Sequence, residues 1–296
     1  MGNQLNRDHP LDYEITDLFM KHLFVLVVNT FLFVSSLTSA SFTMGNQLSH
    51  EKLVTYELTG FLKEFNKIAV VLADHDTPKE TALPELWKTL WNKAPIRYCI
   101  DHGADRLFCQ SDLDLKPPTT ITGKLGRLDV NTRGCFEETG TSFQETYEEC
   151  EGDTVSTLKA LAKEDLTDIN TVVILGGFSN RFDRLLSNLN ALVHANTLLP
   201  IPTVVLHGRN IITVLPTGGV EIKVHRSLLS GICGFAPISQ EKTVVTTKGF
   251  KYNVDNKELK FGGNISSSNE FEEEKVEFHT TAPLVFTVEI EDNLVH

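Results

Sequence analysis

Residues 171–183 read Thr-Val-Val-Ile-Leu-Gly-Gly-Phe-Ser-Asn-Arg-Phe-Asp. An apolar β-branched run ends here at two glycines, followed by an arginine and an aspartate. A strand buried on both faces needs such a run, and Gly176 and Gly177 let the backbone turn tightly at its carboxyl end. Leu185, Leu186, Leu189, Leu192 and Val193 then recur at helical spacing, so the turn opens a helix. Free N–H groups at the start of that helix attract phosphate oxygens. Arg181 can pair with phosphate, and Asp183 can bind a metal or orient a hydroxyl or amine. A Gly-Gly turn also occurs in α/β proteins that hold no ligand there, so the rest of the chain has to decide.

A second chemical segment, Arg97-Tyr98-Cys99-Ile100-Asp101-His102-Gly103-Ala104-Asp105-Arg106-Leu107, reads as a strand ending in an acid and a glycine turn. Ligands of open α/β sheets sit at the carboxyl ends of strands, so Asp101 and Gly103 address the same crevice as Gly176 and Gly177. The elements needed to position them are legible around these segments. Ile68–Leu72 predicts a first strand, Leu83–Asn92 a helix, and Val204–Leu206 a further strand. Beyond it the texture changes to strands and turns: Ile211–Leu215, Val220–Val224, Lys242–Thr246 and Leu284–Ile290, with turns expected at Gly218-Gly219 and Gly262-Gly263. The predicted fold is therefore α/β. A Rossmann-like parallel-sheet nucleotide domain over 63–207 is followed by an antiparallel β-sandwich over 208–296, and an extension over 1–62 precedes both.

The chain has 296 residues, enough for two modest cores. Its formal net charge of −12, with scattered Lys and Arg, excludes a general nucleic-acid binder and points to small molecules or proteins as partners. Five cysteines without Cys-x-x-Cys spacing predict reduced thiols in a cytoplasmic protein. The ten histidines show no metal-ligand spacing, and His102 and His207 read as strand-end or surface residues.

In the extension, Met1–Leu5 and Met44–Leu48 both read Met-Gly-Asn-Gln-Leu, and Tyr13-Glu14-Ile15-Thr16 answers Tyr56-Glu57-Leu58-Thr59. Between the copies, residues 22–40 carry an apolar stretch with a small-residue end. It reads either as a secretory or membrane-associating segment or as translated sequence between duplicated starts. Met44-Gly45-Asn46-Gln47-Leu48-Ser49 fits N-myristoylation at Gly45 if Met44 is the start, and one acyl chain gives only reversible membrane contact.

Leu90-Trp91-Asn92-Lys93-Ala94, the 101–107 segment, and Leu175-Gly176-Gly177 with Arg181-Phe182-Asp183 resemble thiamine pyrophosphokinase motifs in order and spacing. Asn188-Leu189-Asn190 and Leu192 continue the likeness. The resemblance implies a homodimer that transfers the pyrophosphoryl group of ATP to thiamine with Mg²⁺, the cleft lying between domains of two subunits. It assigns catalysis to Asp183, Arg181 and Asp153, and nucleotide binding to Asp101, Gly103, Gly176 and Gly177; Lys124, by its own charge, can contact phosphate. Thr246–Asn253 and Ser266–Asn269 resemble the thiamine-binding elements, which assigns Tyr252, Ser268 and Asn269 to thiamine, with Tyr252 where the family carries a tryptophan.

The likeness fails at three points. The family's Ile-x-Gly-Asp-x-Asp-Ser element stands here as Ile121-Thr122-Gly123-Lys124-Leu125-Gly126-Arg127, so Lys124 and Gly126 replace two metal-binding aspartates. A shifted register offers Asp129 as one carboxylate. The family's Asp-x-Asp-x-Thr-Asp segment stands as Glu148-Glu149-Cys150-Glu151-Gly152-Asp153, keeping Asp153 and offering Glu148 as a substitute. Asp101 and Asp153 are the expected Mg²⁺ ligands, with Asp129 and Glu148 as weaker candidates, and His102 stands in place of a glycine. Two readings follow: a thiamine diphosphokinase of impaired activity, or an inactive thiamine- or nucleotide-binding homologue acting as a regulatory or dimer partner.

Overall fold

The computed structural model describes residues 53–73, 78–110, 114–146, 152–178 and 181–294. The first copy of the duplicated segment, the start of the second, the apolar stretch at 22–40, Gly45, Glu148 and Cys150 lie outside the described residues.

The chain runs from β1 (Val54–Glu57) through β2 (Ile68–Leu72), α1 (Glu85–Lys93), β3 (Ile96–Ile100), α2 (His102–Phe108), β4 (Thr120–Gly123) and α3 (Val130–Glu138). Then follow β5 (Ser142–Glu145), α4 (Asp153–Leu161), β6 (Thr171–Leu175), α5 (Phe182–Leu198) and β7 (Thr203–His207). Every residue of β2 and β6 is buried, as continuous apolar runs at the centre of a parallel sheet require. The two pair in parallel register, Leu72 beside Leu175, with β7 flanking β6, and β3, β4 and β5 extending the other side. Helix α1 starts two residues later than predicted. Pro84 is its N-cap and holds Leu83 in the extended approach, where Leu83 is buried.

The second half is built from β8 (Asn210–Leu215), β9 (Gly218–Lys223), β10 (Leu229–Pro237), β11 (Thr243–Lys248), β12 (Lys257–Leu259), β13 (Ser266–Glu270), β14 (Lys275–Thr280) and β15 (Leu284–Ile290). These strands form two sheets, but one of them is not separate from the nucleotide half. β7 and β8 pair antiparallel, Val205 beside Ile212, so a ten-stranded sheet runs β13-β10-β15-β8-β7-β6-β2-β3-β4-β5 across residue 207. The other sheet has the order β1-β9-β14-β11-β12.

Two features differ from the sequence reading. Strand β1, grouped on sequence with the extension, pairs in parallel with β9, and Leu58, Phe61 and Leu62 behind it are buried. Gly218-Gly219, read as a turn, opens β9 opposite Thr280 and His279, whereas Gly262-Gly263 does lie in a turn, closed by the Gly263 N–H on the Lys260 carbonyl at 3.0 Å. Between the sheets Phe235, Phe250, Phe271, Phe278 and Phe286 form a ring cluster, with Phe278 and Phe286 centroids 5.0 Å apart. Edge-to-face pairs of this kind add about 0.5–1.5 kcal/mol each beyond their area burial.

Candidate active site

Strands β3 and β4 deliver the first acid. Asp101 follows β3 with φ 42° and ψ −117°, a conformation a non-glycine residue adopts only when its surroundings enforce it. The enforcing contacts are local. The Asp101 N–H donates to the Thr122 carbonyl at 2.9 Å, and the carboxylate sits over Gly123, where a Cβ would lie 2.1 Å from Oδ1. The Lys124 backbone N–H also donates to this carboxylate. Oδ1 itself is buried without a hydrogen-bond partner. Burial, then the neighbouring Asp153, push the Asp101 pKa up from 3.8 to about 6, while His102 and Arg127 pull it down.

Asp153 is the first residue of α4, and hydroxyls tie that helix to the sheet. Thr157 donates to the Asp153 carbonyl at 2.7 Å, and its hydroxyl oxygen lies 2.6 Å from that of Thr122 on β4. Asn188 of α5 closes the arrangement. Its Oδ1 accepts from Thr154 at 2.6 Å, and its Nδ2 donates to the Gly177 carbonyl. Gly176 and Gly177 adopt φ 80° and 82°, and a Cβ on Gly177 would lie 2.8 Å from Asn188 Nδ2. The two glycines take the positive φ expected of them, although residues 176–178 form no hydrogen-bonded turn, and Asn188 pins the segment to both helices.

These elements enclose a cleft of about 120 Å³ lined by Asp101, His102, Arg127, Asp153, Arg184 and Asn188, among others. His102 Nδ1 lies 2.9 Å from Asp105 Oδ2, and the other oxygen of Asp105 accepts the Asp129 N–H at 3.1 Å. Of the site residues assigned on sequence, the cleft gathers Asp101 and Asp153, with His102 and Asn188 beside them. Gly103 packs beneath it, its hydrogen-filled Cβ position 2.7 Å from the Leu72 carbonyl oxygen. Lys124 is exposed and its side chain is not part of the lining. Asp129 instead caps α3, accepting the Asn131 N–H at 2.9 Å. Arg181 and Asp183 pair with each other at the exposed start of α5, Nε to Oδ1 at 3.1 Å, and the arginine holds the Asp183 carboxyl below its usual range.

Arg127, Arg184, Ser187 and Thr154 were not picked out from sequence as cleft residues. A polar stripe at Arg184, Ser187 and Asn188, spaced i, i+3 and i+4, was the available signal for the α5 face.

In the second half Asn269 is buried and acts as a clamp. Its Oδ1 accepts the N–H groups of Tyr252 at 3.1 Å and Glu270 at 2.9 Å, and its Nδ2 donates to the Tyr252 carbonyl at 3.0 Å. Tyr252 is thereby held 58% exposed, with the Lys251 ammonium 5.5 Å from its ring centroid. Ser268 is exposed on β13.

Fold and site together define an α/β protein whose strand-end cleft carries paired carboxylates and guanidinium groups, chemistry suited to phosphate-bearing ligands. The family model "Thiamin pyrophosphokinase, catalytic domain" matches residues 87–201, and "Thiamin pyrophosphokinase, vitamin B1 binding domain" matches residues 219–285. Thiamin pyrophosphokinase 1 of Caenorhabditis elegans is 28% identical over 221 residues, which cover 72% of this chain and 86% of that protein. Thiamine pyrophosphokinase 3 of Oryza sativa subsp. japonica is 29% identical over 228 residues, covering 70% and 84%. The structure of thiamin pyrophosphokinase from Candida albicans superposes with a TM-score of 0.68 at 19% identity, covering 83% of this chain and 96% of that one. The chain belongs to the thiamine pyrophosphokinase family.

Proposed function

We propose that this protein transfers the pyrophosphoryl group of ATP to the hydroxyl of thiamine, giving thiamine diphosphate and AMP, with turnover weakened by the Lys124 and Gly126 replacements. The convergence of Asp101 and Asp153 on one cleft carries the reading. In the reaction the thiamine oxygen bonds to the β-phosphorus, the bond from that phosphorus to the α–β bridging oxygen breaks, and the hydroxyl proton leaves to a base or water.

The donor set fits Mg²⁺ in the way that ion is usually held, by one or two carboxylates plus substrate phosphates. Asp101, with its partnerless buried Oδ1, and Asp153 would hold it. When bound, Mg²⁺ neutralises charge developing on the transferred group. Among the described residues no group of three His, Cys, Asp or Glu side chains assembles a fuller site. Lys124 and Gly126 in place of two acids favour a second reading, in which the chain binds nucleotide or thiamine without turnover and regulates or pairs with another protein.

Arg181 and Asp183 act at the substrates, Gly176, Gly177 and Gly103 at the nucleotide, and Tyr252 and Ser268 at thiamine, with Asn269 fixing Tyr252. The working form is a homodimer in the cytoplasm. Among the described residues no helix is long and apolar enough to cross a membrane.

Thiamine diphosphate formation by the full chain with ATP and Mg²⁺ tests the reading, with Asp153→Ala as control. The Lys124→Asp, Gly126→Asp double variant should turn over faster than wild type. Equal rates would reject the weakening, and an inactive wild type that still binds thiamine would favour the second reading.

A further inference from the structure

The cleft contains a cation where the family pattern places none. Arg127 ends a 3₁₀ turn over Leu125–Arg127, immediately after the β4 end that seats Asp101. The turn is anchored from below by buried Leu125 and Leu128, and it is closed by the Arg127 N–H on the Lys124 carbonyl at 2.9 Å and the Leu128 N–H on the Leu125 carbonyl at 3.2 Å. The guanidinium lines the cleft together with Asp101 and Asp153.

We infer that Arg127 anchors the phosphates of the bound nucleoside triphosphate directly, so that this chain holds ATP without a divalent cation. The inference rests on the nucleotide reading of the cleft and separates binding from turnover.

Three physical points carry it. Two carboxylates facing a polyanionic ligand repel it unless positive charge lies between or beside them. Arginine supplies that charge permanently, in a planar fork that fits two phosphate oxygens, whereas a magnesium ion held by only two side chains depends on the phosphates for most of its shell. The turn also fixes the Arg127 backbone before ligand arrives, so less ordering accompanies the contact. Arg184, on the facing helix, adds a second guanidinium to the same wall. Lys124, which the sequence suggested for this role, lies outside the lining, and its own contribution is the backbone N–H donated to Asp101. Mg²⁺ is then required for transfer and dispensable for binding.

The test is calorimetric titration of the full chain with ATP, in buffer containing EDTA and in buffer containing Mg²⁺, for wild type, Arg127→Ala and Arg127→Lys. Arg127 is exposed, so both variants should fold, which denaturation midpoints will verify. Wild type should bind in EDTA. Arg127→Ala should lose about tenfold or more in EDTA, the worth of a charged hydrogen bond, and lose less with Mg²⁺. Arg127→Lys should recover part of the loss.

Binding that requires Mg²⁺ and is indifferent to Arg127→Ala would overturn the inference and leave the proposed function standing. No ATP binding in either buffer would overturn both.

Discussion

Replacing Asp101 by asparagine should stabilise the ligand-free protein at neutral pH while abolishing its activity. The carboxyl is 3% exposed, and its pKa lies at about 6 against an ordinary 3.8. Between those two values the folded state holds a proton that the unfolded chain has released. Stability therefore falls as pH rises from about 3.8 to about 6, and the loss is complete above that window. At 1.36 kcal/mol per pKa unit the penalty is roughly 3 kcal/mol at pH 7.5, roughly 1 kcal/mol at pH 4.5, and close to zero at pH 3. Asparagine keeps an oxygen for the Lys124 N–H and cannot ionise, so it escapes the penalty. Urea denaturation of both proteins across this range, without nucleotide or metal, measures the gap. The variant should be the more stable by an amount that shrinks on acidification. A variant less stable than wild type at pH 7.5, or a gap that does not change with pH, would refute the claim that burial and Asp153 strain this carboxylate.

Gly123→Ala should inactivate the protein and destabilise it by roughly 1–3 kcal/mol, since its φ of 120° suits glycine and the new methyl would meet Asp101 Oδ1; thermal denaturation and turnover check this together. Asn269→Ala leaves two backbone N–H groups and one carbonyl without their partner. It should cost roughly 1–3 kcal/mol in urea denaturation and weaken thiamine binding by calorimetry, whereas exposed Ser268→Ala should leave the denaturation midpoint unchanged.

How much of this was legible in the sequence depended on whether the signal was local. The runs at Ile68–Leu72 and Thr171–Leu175 announced central strands because both of their faces are apolar. Strands β4 and β5, Thr-Ile-Thr-Gly and Ser-Phe-Gln-Glu, lie toward one edge of the sheet and carry too few apolar residues to show a period. The sandwich was visible, but not that one of its sheets continues the nucleotide sheet, because pairing of β7 with β8 is a tertiary choice that either half's pattern permits. Asp101 and Asp153 were found from strand-end logic and motif likeness. Arg127 was missed as a cleft residue because a 3₁₀ turn, unlike a helix or strand, has no period from which the direction of a side chain can be read. Asn269 was read as a ligand contact, and the structure gives its hydrogen bonds to backbone instead, a distinction that no spacing encodes.

The most direct test of the central claim is phosphorus NMR of the full chain incubated with ATP, Mg²⁺ and thiamine. Thiamine diphosphate and AMP appearing in equal amounts, and lost in Asp153→Ala, is the predicted result. Accumulation of ADP, or an unchanged ATP spectrum, would contradict it.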